Sequence, residues 1–140
     1  MSSVKNRMRF EEVLDFLEAG DVPLFRVFFI YEGKRCRIAD ILENLPAEKR
    51  KQIRRLIRYM MIVENFKSPH LTWRIKAYPY GEVKPPPHRF FFFIRCGKNI
   101  VFFDYREKKT DSLPDNVYKS IDRKRERYVR EFERFCAETS

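Results

Sequence analysis

The chain has 140 residues and a formal net charge of +10, because 30 lysines and arginines face 20 aspartates and glutamates. That length suits a single domain with a buried core. The first residues lack the apolar core of a secretory signal, and no segment reaches the ~18 apolar residues of a membrane span. The charge favours an acidic partner: nucleic acid, an anionic membrane surface or an acidic protein.

The three cysteines, Cys36, Cys96 and Cys136, are odd in number and widely spaced. They contain no Cys-x-x-Cys pair, so the sequence predicts neither a disulfide framework nor a zinc site. No glycine-rich phosphate loop and no cluster at metal-ligand spacing occurs. We therefore expect a protein of the reducing cytoplasm that uses no metal and no cofactor.

Near the N-terminus, apolar residues recur at helical spacing with acidic residues between them. The apolar positions are Phe10, Val13, Leu14 and Leu17. They predict an amphipathic helix over about residues 6–20, with an acidic outer face and a stop at Gly20. We therefore expect about residues 1–22 to form a helical extension beside a core over about residues 24–137, all within one domain.

The next segments predict a buried strand and two helices. Residues 24–31 are nearly all apolar or aromatic, as in a strand covered on both faces, and residues 38–45 suit a short helix. Pro46 fits the first turn of the following helix. That helix has an apolar stripe of Ile53, Leu56, Ile57, Met60 and Met61, and an opposite face of Lys51, Arg54, Arg55 and Arg58. The basic face is either a solvated surface or a ridge that follows a nucleic-acid backbone.

A second strand is predicted at about residues 72–77. Alternation would place Trp73, Ile75 and Ala77 on one face and Arg74 and Lys76 on the other. Residues 78–87 contain Pro85, Pro86 and Pro87 and are predicted to be a surface loop without a ladder strand.

The C-terminal part predicts a hairpin and a closing helix. Strands at about 88–95 and 100–105 are joined by a turn in which Gly97 is the pivot. Pro114 begins a final helix that runs to about residue 137. Its inward side chains are Val117, Tyr118, Ile121, Tyr128, Phe132 and Phe135.

Together these elements predict an α+β domain. Its sheet is small, curved and mostly antiparallel, and we expect the helices to pack on one face of it. The other face would then be open to a ligand.

Basic residues at the strand ends suggest RNA cleavage without a metal. That reaction needs a group that accepts the 2′-hydroxyl proton, cationic donors for the phosphate, and an acid for the leaving oxygen. The candidates are Arg74, Lys76, His88, Arg89, Tyr105, Arg106, Lys108, Lys109 and Tyr118. Trp73 could stack on a base if exposed. The alternative is that these cations only solvate strand edges and block aggregation.

The segment from about 24 to 130 resembles toxins of the RelE/ParE superfamily of bacterial toxin–antitoxin modules, closest to the RelE and HigB branches and their phage-derived relatives. The similarity lies in the order of features: Leu45-Pro46, the basic helix, Trp73-Arg74-Ile75-Lys76, Arg89 with its phenylalanine strand, the hairpin, and Lys108-Lys109-Thr110.

The resemblance implies a ribosome-dependent mRNA endonuclease that inhibits translation and is neutralised by a cognate antitoxin, with ribosome and mRNA as its other partners. It also implies roles for individual residues. Arg74 and Lys76 would act in cleavage, Arg89 would bind phosphate, Lys109 would stabilise the transition state, and Tyr118 would stack or aid proton transfer. The remaining candidates, which would bind RNA, are Lys108, Arg106, Tyr105, His88, Trp73, Arg54, Arg55 and Arg58.

Two other functions fit the same sequence. The first is a non-enzymatic binder of this fold, either a gyrase poison or a ribosome- or nucleic-acid-binding protein of a mobile element. The second is an interaction protein whose basic faces only confer solubility. It would bind RNA weakly and without a steep dependence on salt.

Overall fold

The computed structural model describes residues 8–75, 78–108 and 113–139. In chain order its elements are β1 (Met8–Glu12), β2 (Arg26–Glu32), α1 (Arg37–Glu43), α2 (Ala47–Ile62), β3 (Leu71–Thr72), β4 (Gly81–Val83), β5 (His88–Arg95), β6 (Asn99–Glu107) and α3 (Asp115–Thr139).

The strands form one sheet in the order β1-β2-β6-β5-β4-β3. β2 and β6 are parallel, and the other neighbouring strands are antiparallel. The predicted α+β class and the mostly antiparallel sheet are therefore confirmed. The parallel pairing ends at Phe29 and Phe102, so β2 and β6 are no longer paired at their carboxyl-terminal ends.

Helices cover both faces of this sheet. One core cluster joins α1 and α2 to the sheet through residues that include Phe90 and Phe92, and the other joins α3 through Phe91 and Phe93. The prediction of helices on one face and an open ligand face is therefore wrong. The reason is visible in β5, whose four phenylalanines are all buried. Since alternate strand residues point to opposite faces, each face needs its own apolar cover.

The N-terminal segment forms an edge strand and a loop, so the predicted helical extension is wrong. β1 pairs antiparallel with β2. Phe10 lies on the α3 side of the core and Val13 on the opposite side, while Leu14 is 59% exposed. Residues whose spacing fits one face of a helix therefore lie on two faces of a sheet. The segment forms a strand because β2 supplies its backbone hydrogen-bond partners, which local propensity does not predict.

The second predicted strand is shortened to β3. Arg74 has a φ of +65°, a left-handed conformation that takes the chain out of the ladder. Trp73 stacks on Phe92 with ring centroids 5.7 Å apart, whereas Ile75 joins the α3 side of the core. Trp73 and Ile75 therefore do not share a face, and Lys76 and Ala77 lie outside the described residues.

The predicted loop 78–87 contains a strand, which corrects the expectation that no ladder forms there. β4 pairs with both β3 and β5, and the prolines of this segment flank it without interrupting it. At Gly81, a Cβ would collide with the Thr72 carbonyl oxygen and the Phe92 ring. Glycine therefore allows the close approach of β4 to its neighbours.

The remaining elements confirm the sequence patterns. β5 has the predicted bounds, and Gly97, with φ +86°, lies in the turn before β6. α1, α2 and α3 begin and end within a few residues of the expected positions. In α3, Tyr118, Ile121 and Phe132 are buried as predicted.

Candidate functional site

Polar and charged residues gather where β5 begins and β6 ends. In the ladder, His88 is opposite Glu107 and Arg89 is opposite Arg106. Successive residues point to opposite faces, so these side chains divide into two clusters. The His88 cluster, on the α1–α2 face, consists of His88, Tyr105 and Glu107. The Arg89 cluster, on the α3 face, consists of Glu82, Arg89, Asp104 and Arg106.

In the His88 cluster, an imidazole and a phenol share a short hydrogen bond. His88 Nδ1 and Tyr105 Oη are 2.6 Å apart, and their rings stack with centroids 6.0 Å apart. The Phe90 ring packs against Tyr105 at 4.8 Å. Glu107 Oε1 is 3.9 Å from His88 Nδ1, and the Glu107 side chain is 65% exposed. Packing thus holds the two rings: His88 is only 8% exposed, and the pair meets solvent mainly at the Glu107 carboxylate.

Two basic residues, Arg37 and Lys49, border the His88 cluster, and a third, Lys108, follows it in the chain. Arg37 donates to the Tyr105 carbonyl oxygen at 3.1 Å, and Lys49 Nζ donates to the Pro86 carbonyl oxygen at 3.0 Å. Lys108 directly follows β6, and its backbone N–H donates to the Pro87 carbonyl oxygen at 2.7 Å. An ammonium has three donors and a guanidinium five, so these contacts leave further donors for an anionic ligand.

The surroundings keep both rings of the pair neutral. Burial lowers the pKa of His88 below its ordinary value of 6.5, Lys49 lowers it further, and Glu107 opposes both effects. Burial raises the pKa of Tyr105, Glu107 raises it further, and Arg37 opposes them. Because Tyr105 occupies Nδ1, Nε2 is the ring nitrogen left for proton exchange with a ligand.

The Arg89 cluster encloses its charges in the protein. Arg89 Nη1 donates to both carboxylate oxygens of Glu82, at 3.2 and 3.3 Å, and the two side chains are only 6% and 3% exposed. Burial raises the pKa of the Glu82 carboxyl, and Arg89 partly offsets that rise. The sequence pattern predicted that Arg89 is accessible to a ligand at a strand end. In the structure Arg89 is buried and pairs with Glu82 of β4.

Asp104 joins three elements at this end of the sheet. Its side chain is fully buried, and Arg37 Nη1 donates to its Oδ1 at 2.5 Å. Its Oδ2 lies 3.6 Å from both Arg106 Nε and Lys124 Nζ. Arg106, expected to bind RNA, therefore lies against a carboxylate of its own strand. This carboxylate links α1, β6 and α3 by charge.

Among the described residues, the others expected to be catalytic, Arg74 and Tyr118, do not form one exposed site. Tyr118 is 2% exposed, and its hydroxyl accepts the Leu113 N–H at 3.3 Å. Arg74 is exposed, beside Trp73, which is 39% exposed. Lys76 and Lys109 lie outside the described residues. Tyr118 is thus a core residue, and its predicted contact with RNA is not supported by its position.

The predicted basic ridge on α2 is largely paired with the loop between β1 and β2. Arg58 makes two hydrogen bonds to Asp21, both 2.7 Å long, and lies 3.5 Å from Glu18. Arg54 lies over the Phe16 ring at 4.2 Å and 3.7 Å from an Asp15 oxygen.

These contacts neutralise only part of the basic face of α2, and Arg55 on the same helix is exposed. The Arg58 guanidinium holds the pKa of the Asp21 carboxyl below its usual range. The acidic residues that suggested an outer helix face therefore neutralise part of the basic face of α2.

Among the residues of these clusters and the cations that border them, sequence reasoning missed five: Arg37, Lys49, Glu82, Asp104 and Glu107. Asp104 interrupts an otherwise apolar strand, and Glu82 stands between Gly81 and Val83. A lone carboxylate inside an apolar run is a signal for a buried charge with a cationic partner, and it could have found both acids. No comparable signal marks Arg37 or Lys49, which come from distant segments.

Comparisons of the chain with protein-family models, with curated proteins and with solved structures find no match. The likeness to RelE and HigB toxins therefore stays a prediction from the sequence. Within the described ranges, His, Cys, Asp and Glu side chains do not group in threes as metal ligands. Among those same residues, the helices lack the combined length and apolar character of a membrane span.

Proposed function

We propose that the protein is a toxin of a toxin–antitoxin module, a metal-independent endoribonuclease that cleaves mRNA on the ribosome. The observation that carries this proposal is the 2.6 Å hydrogen bond between His88 Nδ1 and Tyr105 Oη beside Arg37 and Lys49. Metal-free RNA cleavage needs a neutral base close to cationic phosphate donors, and this cluster supplies both. A cognate antitoxin, which we expect to be acidic, would neutralise the basic surface.

In the proposed reaction, His88 Nδ1–H donates to Tyr105 Oη, so that the lone pair of Nε2 is free. Nε2 accepts the proton of the ribose 2′-hydroxyl, and the 2′ oxygen forms a bond to the adjacent phosphorus. The bond from phosphorus to the 5′ oxygen breaks, that oxygen takes a proton from solvent, and Nε2 returns its proton to solvent. The products are a 2′,3′-cyclic phosphate and a 5′-hydroxyl.

The bordering cations would bind the phosphate during this step. Lys49 is half-buried and Arg37 is exposed, so both can meet an anion at the surface. Developing negative charge on the phosphate oxygens is stabilised most by donors that are already held in place. Arg89 and Tyr118 take no part in this proposal, because Arg89 is paired with Glu82 and the Tyr118 hydroxyl accepts the Leu113 N–H inside the core.

The test is expression in a bacterium, followed by primer extension on an abundant mRNA. We expect growth arrest with new cuts inside translated codons. His88→Ala should reduce cleavage by about 10²–10⁴-fold, the usual contribution of a general base. His70→Ala is the matched control, because His70 lies in the segment that leads into β3 and should leave cleavage unchanged. Full cleavage by His88→Ala would overturn the proposal.

A non-enzymatic binder is the second candidate, and burial of Arg89 and Tyr118 favours it, because the resemblance assigns catalysis to these residues. Such a protein would arrest growth without cutting mRNA. A supercoiling assay with purified gyrase and a ribosome-binding assay would then identify the target. A steep fall in RNA affinity with salt would indicate phosphate contacts.

A further inference from the structure

The β5–β6 turn lies against the last turns of α3. Arg95 Nε and Glu133 Oε2 are 3.0 Å apart, and the Phe93 and Phe132 ring centroids are 6.1 Å apart. One residue beyond Arg95 is Cys96, and one turn beyond Phe132 is Cys136. The Cys96 side chain lies close enough to the Cys136 thiol to interact with it. The ion pair and the ring contact thus independently hold the turn and the helix in the register that brings the sulfurs together.

The two thiols differ in access. Cys96 is exposed, and its φ of +56° turns the chain at the tip of the hairpin. Cys136 is half-buried against the α3 side of the core. Burial, followed by the interaction with Cys96, raises the pKa of the Cys136 thiol to about 12. Cys136 therefore stays protonated at neutral pH, and Cys96 is the sulfur that a small oxidant reaches first.

We propose that Cys96 and Cys136 are an oxidation site, at which a hydroperoxide converts two adjacent thiols into an intramolecular disulfide. This inference does not rest on the proposed function. His88 begins β5 and Cys96 directly follows it, so the two sites are separated by the length of that strand, roughly 25 Å at strand rise.

The reaction balances with hydrogen peroxide as the oxidant. The Cys96 thiolate attacks one peroxide oxygen, the O–O bond breaks, and the released hydroxide takes a proton and leaves as water. Cys96 is then a sulfenic acid. The Cys136 sulfur, losing its proton, attacks the Cys96 sulfur, and the S–O bond breaks to release a second water. Two thiols lose two electrons in total, and one peroxide gains them.

The disulfide would fasten the C-terminal end of α3 to the hairpin. It would close a chain loop that contains β6 and most of α3, which restricts the unfolded state. A loop of that size is expected to raise Tm by roughly 10 °C for a domain of this length.

The test uses the full-length, fully reduced protein and hydrogen peroxide. After the peroxide is removed, the protein is denatured, alkylated with N-ethylmaleimide, and analysed by intact mass, non-reducing gel and peptide mapping. We expect a monomer with a single alkylated cysteine, Cys36, which is buried beside α1. The map should contain one peptide pair linked through Cys96 and Cys136.

Three results would overturn the proposal: alkylation of all three cysteines after peroxide, a disulfide between two chains, or over-oxidised Cys96 beside alkylated Cys136. A melting curve of the oxidised protein adds an independent readout, because an unlinked protein would show no rise in Tm. Cys96→Ser and Cys136→Ser should each abolish that rise.

The ion pair between Arg95 and Glu133 supplies a further check. Glu133→Gln should slow disulfide formation several-fold, because it loosens the register of the turn against α3. Glu131→Gln is the matched control, since Glu131 pairs with Arg134 on the same helix and not with the hairpin. Equal oxidation rates in the two variants would contradict the role given to the ion pair.

Discussion

His88 and Arg89 are neighbours in the sequence, yet they lie on opposite faces of β5, and the two faces accommodate polar groups in different ways. On the α3 face, Arg89 and Glu82 form a buried ion pair. On the α1–α2 face, His88 and Tyr105 form a neutral hydrogen-bonded pair with an exposed carboxylate at its edge. The first arrangement pairs two charges inside the protein, and the second leaves one ring nitrogen of a neutral imidazole unused by Tyr105.

The difference has a physical origin. A buried charge is tolerated only with a partner, and such a pair is strongly coupled to folding. A neutral imidazole has a small desolvation cost, and when it accepts a proton the Glu107 carboxylate, 3.9 Å from Nδ1, faces the new positive charge. A basic residue near a sheet end is therefore a functional candidate only if it is not already bound in a buried ion pair.

The largest expected effect is on the stability of the Arg89 cluster. Arg89→Ala would leave Glu82 buried without its guanidinium and should lower the free energy of unfolding by about 3–5 kcal/mol, measured by urea denaturation. Arg95→Ala is the control on the same strand, because its ion pair is exposed and should cost no more than about 1 kcal/mol. A stable Arg89→Ala protein that no longer cleaves RNA would return Arg89 to the active site.

The next effect is on the titration of His88, where two neighbours should act with opposite signs. Lys49→Met removes a cation that lowers the pKa of His88, and Glu107→Gln removes an anion that raises it. Because neutral His88 is the proposed base, activity should fall as the pH drops through its lowered pKa.

Lys49→Met should shift this fall in activity at acid pH to higher pH, and Glu107→Gln should shift it to lower pH. NMR titration of His88, with His70 as the internal reference, measures the same shifts without RNA. Shifts of equal sign in the two variants would contradict this electrostatic assignment.

A smaller loss is expected at Asp104. Its cationic neighbours, Arg37, Arg106 and Lys124, are 57%, 36% and 45% exposed, so each can turn towards water when the carboxylate is removed. Asp104→Asn should therefore cost about 1–3 kcal/mol, less than Arg89→Ala, in the same denaturation assay. A larger loss than that of Arg89→Ala would make Asp104 the main charged anchor of this end of the sheet.

The smallest effect concerns the loop that pairs with α2. Arg58 lowers the pKa of Asp21 in the folded protein, so this pair stabilises the fold above the unfolded pKa of Asp21. That contribution disappears as the pH falls through the lower folded pKa. Asp21→Asn should make stability less dependent on pH in the acid range. If Tm falls equally at acid pH in Asp21→Asn and in the unsubstituted protein, the pair contributes nothing measurable to stability.

Local patterns were enough to predict several elements. The stripe of α2, the limits of β5, the turn at Gly97 and the inward residues of α3 follow from periodicity and turn chemistry within single segments. The N-terminal pattern failed because Phe10 and Val13 serve two different faces. The candidate site was only partly predictable, since His88 and Tyr105 were named but Arg37 and Lys49 were not.

The sequence by itself determined the α+β composition, the aromatic core and the basic charge, because these depend on residue types and short-range spacing. The tertiary structure alone decided which cations are available to a ligand. Arg58 is bound by Asp21 and Arg89 by Glu82, and these partners are separated in the chain or belong to different strands. Burial and pairing depend on long-range contacts. Whether an arginine or lysine is a structural partner or a surface donor is therefore decided by how the helices pack on the two faces of the sheet.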